Sequence, residues 1–131
     1  MIDADRWEFF TYDEFACACG DCVNRMDATF IDVLDDLRRR CGFPFVVTSG
    51  YRCPDYNDRI ASTGRDGPHT TGRAVDIALS GPNVHRLVMQ VSLGGWMSGI
   101  GLKQKGEHSK RFVHMDDLAE PDHPRPRVWT Y

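Results

Sequence analysis

The chain has 131 residues, of which 41% are hydrophobic and 27% charged, with a formal net charge of −3. That length suits one domain, 1–131, which buries about two-thirds of its unfolded surface and needs no disulfides to build a core. The mild acidity argues against a nucleic-acid partner held through phosphates, and no apolar run reaches the length of a membrane span.

The N-terminal part is the acidic end, with ten Asp/Glu against five Arg up to Cys41. Residues 1–26 read as a Cys-containing segment packed on the domain, with a turn-rich stretch from Tyr12-Asp13-Glu14-Phe15 into the cysteines. Asp27 is placed to cap a helix over Ala28 to Arg40. Phe30, Ile31, Val33, Leu34 and Leu37 form its apolar stripe, and Arg38-Arg39-Arg40 suit the negative end of its dipole. Cys41-Gly42 stops it. Phe45 to Ser49 reads as a short buried strand, and Pro54 to Ser62 as a short helix. Thr63 to Pro68 is a loop, and Ala74 to Leu79 is a strand. The Gly81-Pro82 break leads into a helix over Asn83 to Leu93, ended by Gly94-Gly95. Met97 to Leu102 suits another strand. Pro121 to Arg127 is Pro-rich and irregular, and Val128 to Tyr131 suits a terminal strand. These elements predict an α+β fold: a single compact domain with a small, mostly antiparallel sheet flanked by helices.

The chemistry lies in two runs, Pro68-His69-Thr70-Thr71-Gly72-Arg73-Ala74-Val75-Asp76 and Phe112-Val113-His114-Met115-Asp116. Gly72 and the small Ala74 argue against a helix between His69 and Asp76. His69 is expected in a loop that Gly72 turns into the strand. Alternation then sets Ala74, Asp76 and Ala78 on one face and Val75, Ile77 and Leu79 on the other. Asp is depleted in strands, so an in-strand Asp between a Gly-turned His and a His in a second apolar strand asks for a reason. His69, Asp76 and His114 together make a three-ligand N/O set for Zn²⁺, with a fourth position left for water. His85, His108 and His123 carry no such pattern and read first as ordinary surface or core histidines.

Cys17-x-Cys19-x-x-Cys22 is followed by Cys41 and Cys53. Free or mixed thiols, a second metal ion at Cys17, Cys19 and Cys22 with one more thiolate, and disulfides all fit this irregular spacing, in that order. None of the three clustered cysteines is needed for chemistry at the histidine site.

The runs Ser49-Gly50-Tyr51-Arg52, His69-x-x-Gly72-x-Ala74-x-Asp76 and Phe112-Val113-His114-Met115-Asp116 resemble the zinc D-Ala-D-Ala carboxypeptidase family. The resemblance covers roughly Phe10 to Tyr131. It implies a zinc peptidase acting on peptidoglycan stem or cross-link peptides that contain D-amino acids, either as a carboxypeptidase or as an endopeptidase. It also implies His69, Asp76 and His114 as zinc ligands and Arg52, with Ser49 and Tyr51 beside it, as the substrate-binding group. Two positions depart from the pattern. Gly67 stands where many relatives have Ser, and Arg111 stands where several branches have a catalytic Glu or Asp. The general base is then sought elsewhere. Asp116 is first, because it shares the strand face of His114, although it can instead orient a ligand imidazole. Glu107 on the loop Lys103 to Lys110 is second, and His108 on that loop is an oxyanion donor. The related hedgehog signalling domain, in which this zinc fold persists without demonstrated peptidase function, points to the alternative: a catalytically silent binding or structural module, such as a phage virion component. A monomer is expected. The charged start, without an apolar leader core, suits a phage lysis or virion product made in the cytoplasm and acting on the wall.

Overall fold

Asp27 opens the first helix as its sequence predicts: its carboxylate accepts hydrogen bonds from Thr29 N at 2.8 Å and Phe30 N at 3.2 Å. This helix, α1, spans Ala28–Cys41 and buries Phe30, Ile31, Leu34 and Leu37. Gly42 ends it with φ of 76°, a left-handed conformation that glycine adopts without penalty. These features come from a computed structural model, which describes residues 2–131.

Two further helices follow, α2 over Pro54–Ile60 and α3 over Pro82–Gly94, each with proline in its first turn. Five strands complete the fold: β1 Val46–Ser49, β2 Ala74–Ala78, β3 Gly99–Lys103, β4 Phe112–Asp116 and β5 Arg127–Thr130. They form one sheet in the order β1-β2-β4-β3-β5. All pairs are antiparallel except β3 with β5, which is parallel. The α+β expectation therefore holds, with three α-helices and a mostly antiparallel sheet among the described residues.

The sheet has two unlike faces. Val75 and Ile77 of β2, Val113 and Met115 of β4 and Ile100 of β3 pack into the core with the buried residues of α1 and with Leu87 and Val91 of α3. Trp7, Phe10, Phe15, Cys17 and Met26 from the N-terminal segment join the same core. That segment is tied to α1 by two carboxylates. Asp32 accepts from Trp7 Nε1 at 2.8 Å, and Asp35 accepts from Phe9 N at 2.9 Å. The other face holds Ala74, Asp76, His114 and Asp116, by the pleat's alternation.

One element departs from its predicted setting. Phe45-to-Ser49 was expected as a buried strand, but β1 is an edge strand with Val46 58% exposed. Phe43 and Phe45, ahead of the strand proper, supply the burial instead.

Candidate metal site and cleft

His69 lies in a 3-10 turn, Pro68–Thr71, that closes on Gly72. Gly72 has φ of 76°, and a Cβ there would collide with the Arg25 carbonyl oxygen. Only glycine meets both demands without strain. The chain then enters β2, where Asp76 pairs directly with His114 of β4.

The three side chains converge. Asp76 Oδ1 lies 3.2 Å from His69 Nε2 and 3.0 Å from His114 Nδ1. All three donor atoms fall within 4.8 Å of one another, and all three residues are buried. A tetrahedral ion with bonds of about 2.0–2.1 Å holds its N and O donors about 3.3 Å apart, so the spacing suits zinc. The outer nitrogens are also engaged. His69 Nδ1 is 2.8 Å from the Gly50 carbonyl, and His114 Nε2 is 2.7 Å from Asp116 Oδ2. Such contacts fix which ring nitrogen faces a metal. The donor set therefore fits zinc in type, spacing and orientation.

Charge is arranged around this set. Burial would push Asp76 up, but hydrogen bonds from His114 and His69 and the charges of both rings hold its carboxyl well below the usual range. Desolvation lowers His114, while the Asp116 and Asp76 carboxylates outweigh it and raise the imidazole above its ordinary value. A zinc ion at Nδ1 would displace that proton.

Asp116 does not stand at the open side of the site. It is fully buried behind His114. Arg125 grips it in a two-point ion pair, Nε to Oδ1 and Nη2 to Oδ2, both at 2.8 Å. Both oxygens of this first-choice general base are therefore already engaged, Oδ1 by Arg125 and Oδ2 by Arg125 and the His114 ring. Glu107 and His108 also miss the site: both are exposed in the β3–β4 turn and do not line the cleft. Tyr51, expected to bind substrate, is instead a core residue, 4% exposed. Ser49 is outside the cleft lining too, but its hydroxyl accepts from Arg52 Nε at 2.8 Å. Arg52 does reach the site. Its Nη2 lies 3.3 Å from Asp76 Oδ2 and its Nη1 donates to Asn57 Oδ1 at 3.2 Å. Arg111 donates to the Gly106 carbonyl and pins its own loop.

The cleft over the three donors has a volume of about 420 Å³. His123, Arg125, Arg127, Trp129 and Tyr131 build one wall. None of these tail residues was singled out from the sequence as a site residue. They arrive through β5, whose Trp129 pairs with Gly101 while Gly101 pairs with His114. A Cβ on Gly101 would come within 2.6 Å of Trp129 Nε1, and one on Gly99 within 2.6 Å of Arg125 Nε. Glycine inside a strand often marks such a close approach, so the Gly99-x-Gly101 pattern was the available signal. Desolvation pushes the Tyr131 phenol above its ordinary value, so it remains a hydrogen-bond donor.

A family model described as peptidase M15 matches residues 8–116. The chain belongs to the peptidase M15 family. This family is zinc-dependent, and the His69–Asp76–His114 group of this M15 chain could hold the ion. No curated protein and no solved structure matches the chain. The M15 match ends at Asp116, so the cleft wall from His123 to Tyr131 lies beyond it. No helix among the described residues is long and apolar enough to cross a membrane.

Proposed function

We propose that this M15 chain hydrolyses peptidoglycan stem or cross-link peptides containing D-amino acids. One observation carries the reading: a three-donor set suited to zinc opens into a cleft whose rim is cationic, with the guanidinium groups of Arg52 and Arg127 among its lining. Stem peptides carry free carboxylates, and a guanidinium binds carboxylates through paired hydrogen bonds.

His69 would offer Nε2, Asp76 Oδ1 and His114 Nδ1 to the ion. Zinc bound there supplies a water of near-neutral pKa and polarises the scissile carbonyl. The chain's own residues do the rest. The Gly50 carbonyl and Asp116 hold the two imidazoles in register. Arg125 keeps Asp116 ionised by pairing with it. Arg52, braced by Ser49 and Asn57, presents a fixed cation to a substrate carboxylate or peptide carbonyl. Tyr131 is suited to donate a hydrogen bond to the carbonyl oxygen. A proton must pass from the attacking water to the leaving amine. Asp116 is committed elsewhere, so we assign this transfer to His123, the imidazole that lines the cleft outside the donor set.

A second reading has one observation in its favour. Asp76 is the sole carboxylate among the described residues lining the cleft, so a module that binds stem peptides without cutting them is the alternative. Mass spectrometry of defined stem peptides and cross-linked dimers after incubation with the zinc-loaded chain separates the two. Release of a terminal D-residue indicates a carboxypeptidase, opening of the cross-link indicates an endopeptidase, and saturable binding with every peptide intact supports the module.

A further inference from the structure

Cys17, Cys19 and Cys22 do not stand alone. Cys53, at the start of α2, brings a fourth sulfur to them, and all four lie within 4.8 Å of one another. Cys53 Sγ is 3.9 Å from Cys17 Sγ and also 3.9 Å from Cys19 Sγ. A tetrahedral ion with Zn–S bonds of about 2.3 Å sets its sulfurs about 3.8 Å apart. A disulfide would need one pair at about 2.05 Å. One sulfur equally distant from two others suits a shared central ion better than a pairwise bond.

The backbone is shaped for the same purpose. Gly20 takes φ of 79°, and its N–H donates to the Cys17 carbonyl at 3.3 Å, which curls the Cys-x-Cys-x-x-Cys stretch. The Cys53 N–H donates to Cys17 Sγ at 3.4 Å. Bonds of this kind stabilise a metal-bound thiolate from outside the ligand shell. Cys41, the fifth cysteine, is outside the group.

We propose that Cys17, Cys19, Cys22 and Cys53 hold a structural Zn²⁺ ion, separate from the His69–Asp76–His114 set. Four thiolates in a tetrahedral array suit zinc and leave no open position for water, so such an ion fixes the chain rather than reacting. The N-terminal segment is what it fixes. Tyr51 N donates to the Phe15 carbonyl at 2.8 Å, and Gly50 leaves no room for a side chain there, since a Cβ would lie 2.6 Å from Phe15 O. Cys53 directly follows Arg52, whose guanidinium reaches Asp76. The thiolate site thus clamps the N-terminal segment to the turn that carries Arg52. The inference stands apart from the peptidase reading.

The test uses the unmutated 131-residue chain, purified reduced and with zinc, and measures zinc before and after titration with a thiol-blocking mercurial. The expected result is two zinc ions per chain, one released by the mercurial and one retained. Release should also speed amide exchange in residues 15–22 and 51–53 and leave α3 unchanged. Cys19→Ser with Cys22→Ser should keep one ion, as should His69→Ala, and cobalt loaded into His69→Ala should show strong thiolate charge-transfer absorption. A single ion per chain that the mercurial does not release would overturn the proposal, as would disulfides among residues 17–53 in the zinc-loaded protein. Two bound ions with no hydrolysis would count against the peptidase reading alone.

Discussion

Asp76 and His114 face each other across antiparallel strands, and Asp76 Oδ1 lies 3.0 Å from His114 Nδ1. Because each residue stands on a paired strand, their spacing is set by the sheet's hydrogen bonds rather than by a loop. Only His69 depends on a turn, and Gly72 fixes that turn. The effects of substitutions can therefore be assigned to separate parts of the site.

Asp116→Asn tests the imidazole support. The variant keeps the size of the side chain but weakens its hold on His114 Nε2 and Arg125. Zinc affinity should fall about 10- to 100-fold, read by competition with a chelator of known affinity. Unchanged affinity with a large loss of kcat would restore Asp116 as the base.

His123→Asn tests the proton transfer. It should lower kcat by about 10² to 10⁴ with zinc still bound. Glu107→Gln, in the exposed β3–β4 turn, should leave kcat near normal. The opposite pattern in steady-state kinetics would move the role to Glu107.

Gly72→Ala should be costly without touching a ligand. The left-handed conformation alone penalises a side chain by about 1–2 kcal/mol, and the new Cβ also meets the Arg25 carbonyl. Urea unfolding should show at least that loss. Zinc affinity should fall with it, because the turn that carries His69 must shift.

Asp27 gives the acid dependence of stability. Desolvation opposes its ionisation, yet the Thr29 hydroxyl, the Phe30 amide and the Arg73 charge outweigh this and hold the carboxyl below its usual value. The folded pKa is the lower one, so the stabilisation is complete above the unfolded value of about 3.9 and is lost as pH falls through the folded value. Asp27→Ala should cost about 1–2 kcal/mol near neutrality. Unfolding curves of both proteins should converge in acid below the carboxylate range. A gap that does not narrow with pH would contradict an electrostatic origin.

How much the sequence revealed depended on how local the signal was. The α1 helix was legible because its cap, stripe and stop all lie within it. His69, Asp76 and His114 were legible because Gly72 and the strand alternation placed two of them and a matching apolar run placed the third. The burial of β1 was not, because a strand's place at the sheet edge is decided by its partners. The tail wall was not, because a Pro-rich stretch has no period and reaches the site only by the parallel pairing of β5 with β3. Cys53 was counted but not assigned, since its sulfur meets the others only through the fold. Asp116 sat on the right face, but face alone does not tell an open side chain from one held by Arg125.

The most direct measurement is hydrolysis of a cross-linked stem-peptide dimer, together with its single-stem product, as a function of zinc occupancy at the histidine site. Metal-stripped chain should be inactive, and activity should return in proportion to zinc restored at His69, Asp76 and His114. His114→Ala should stay inactive at every zinc concentration while its thiolate site remains filled. A fully zinc-loaded, folded chain that cuts neither peptide would contradict the peptidase function.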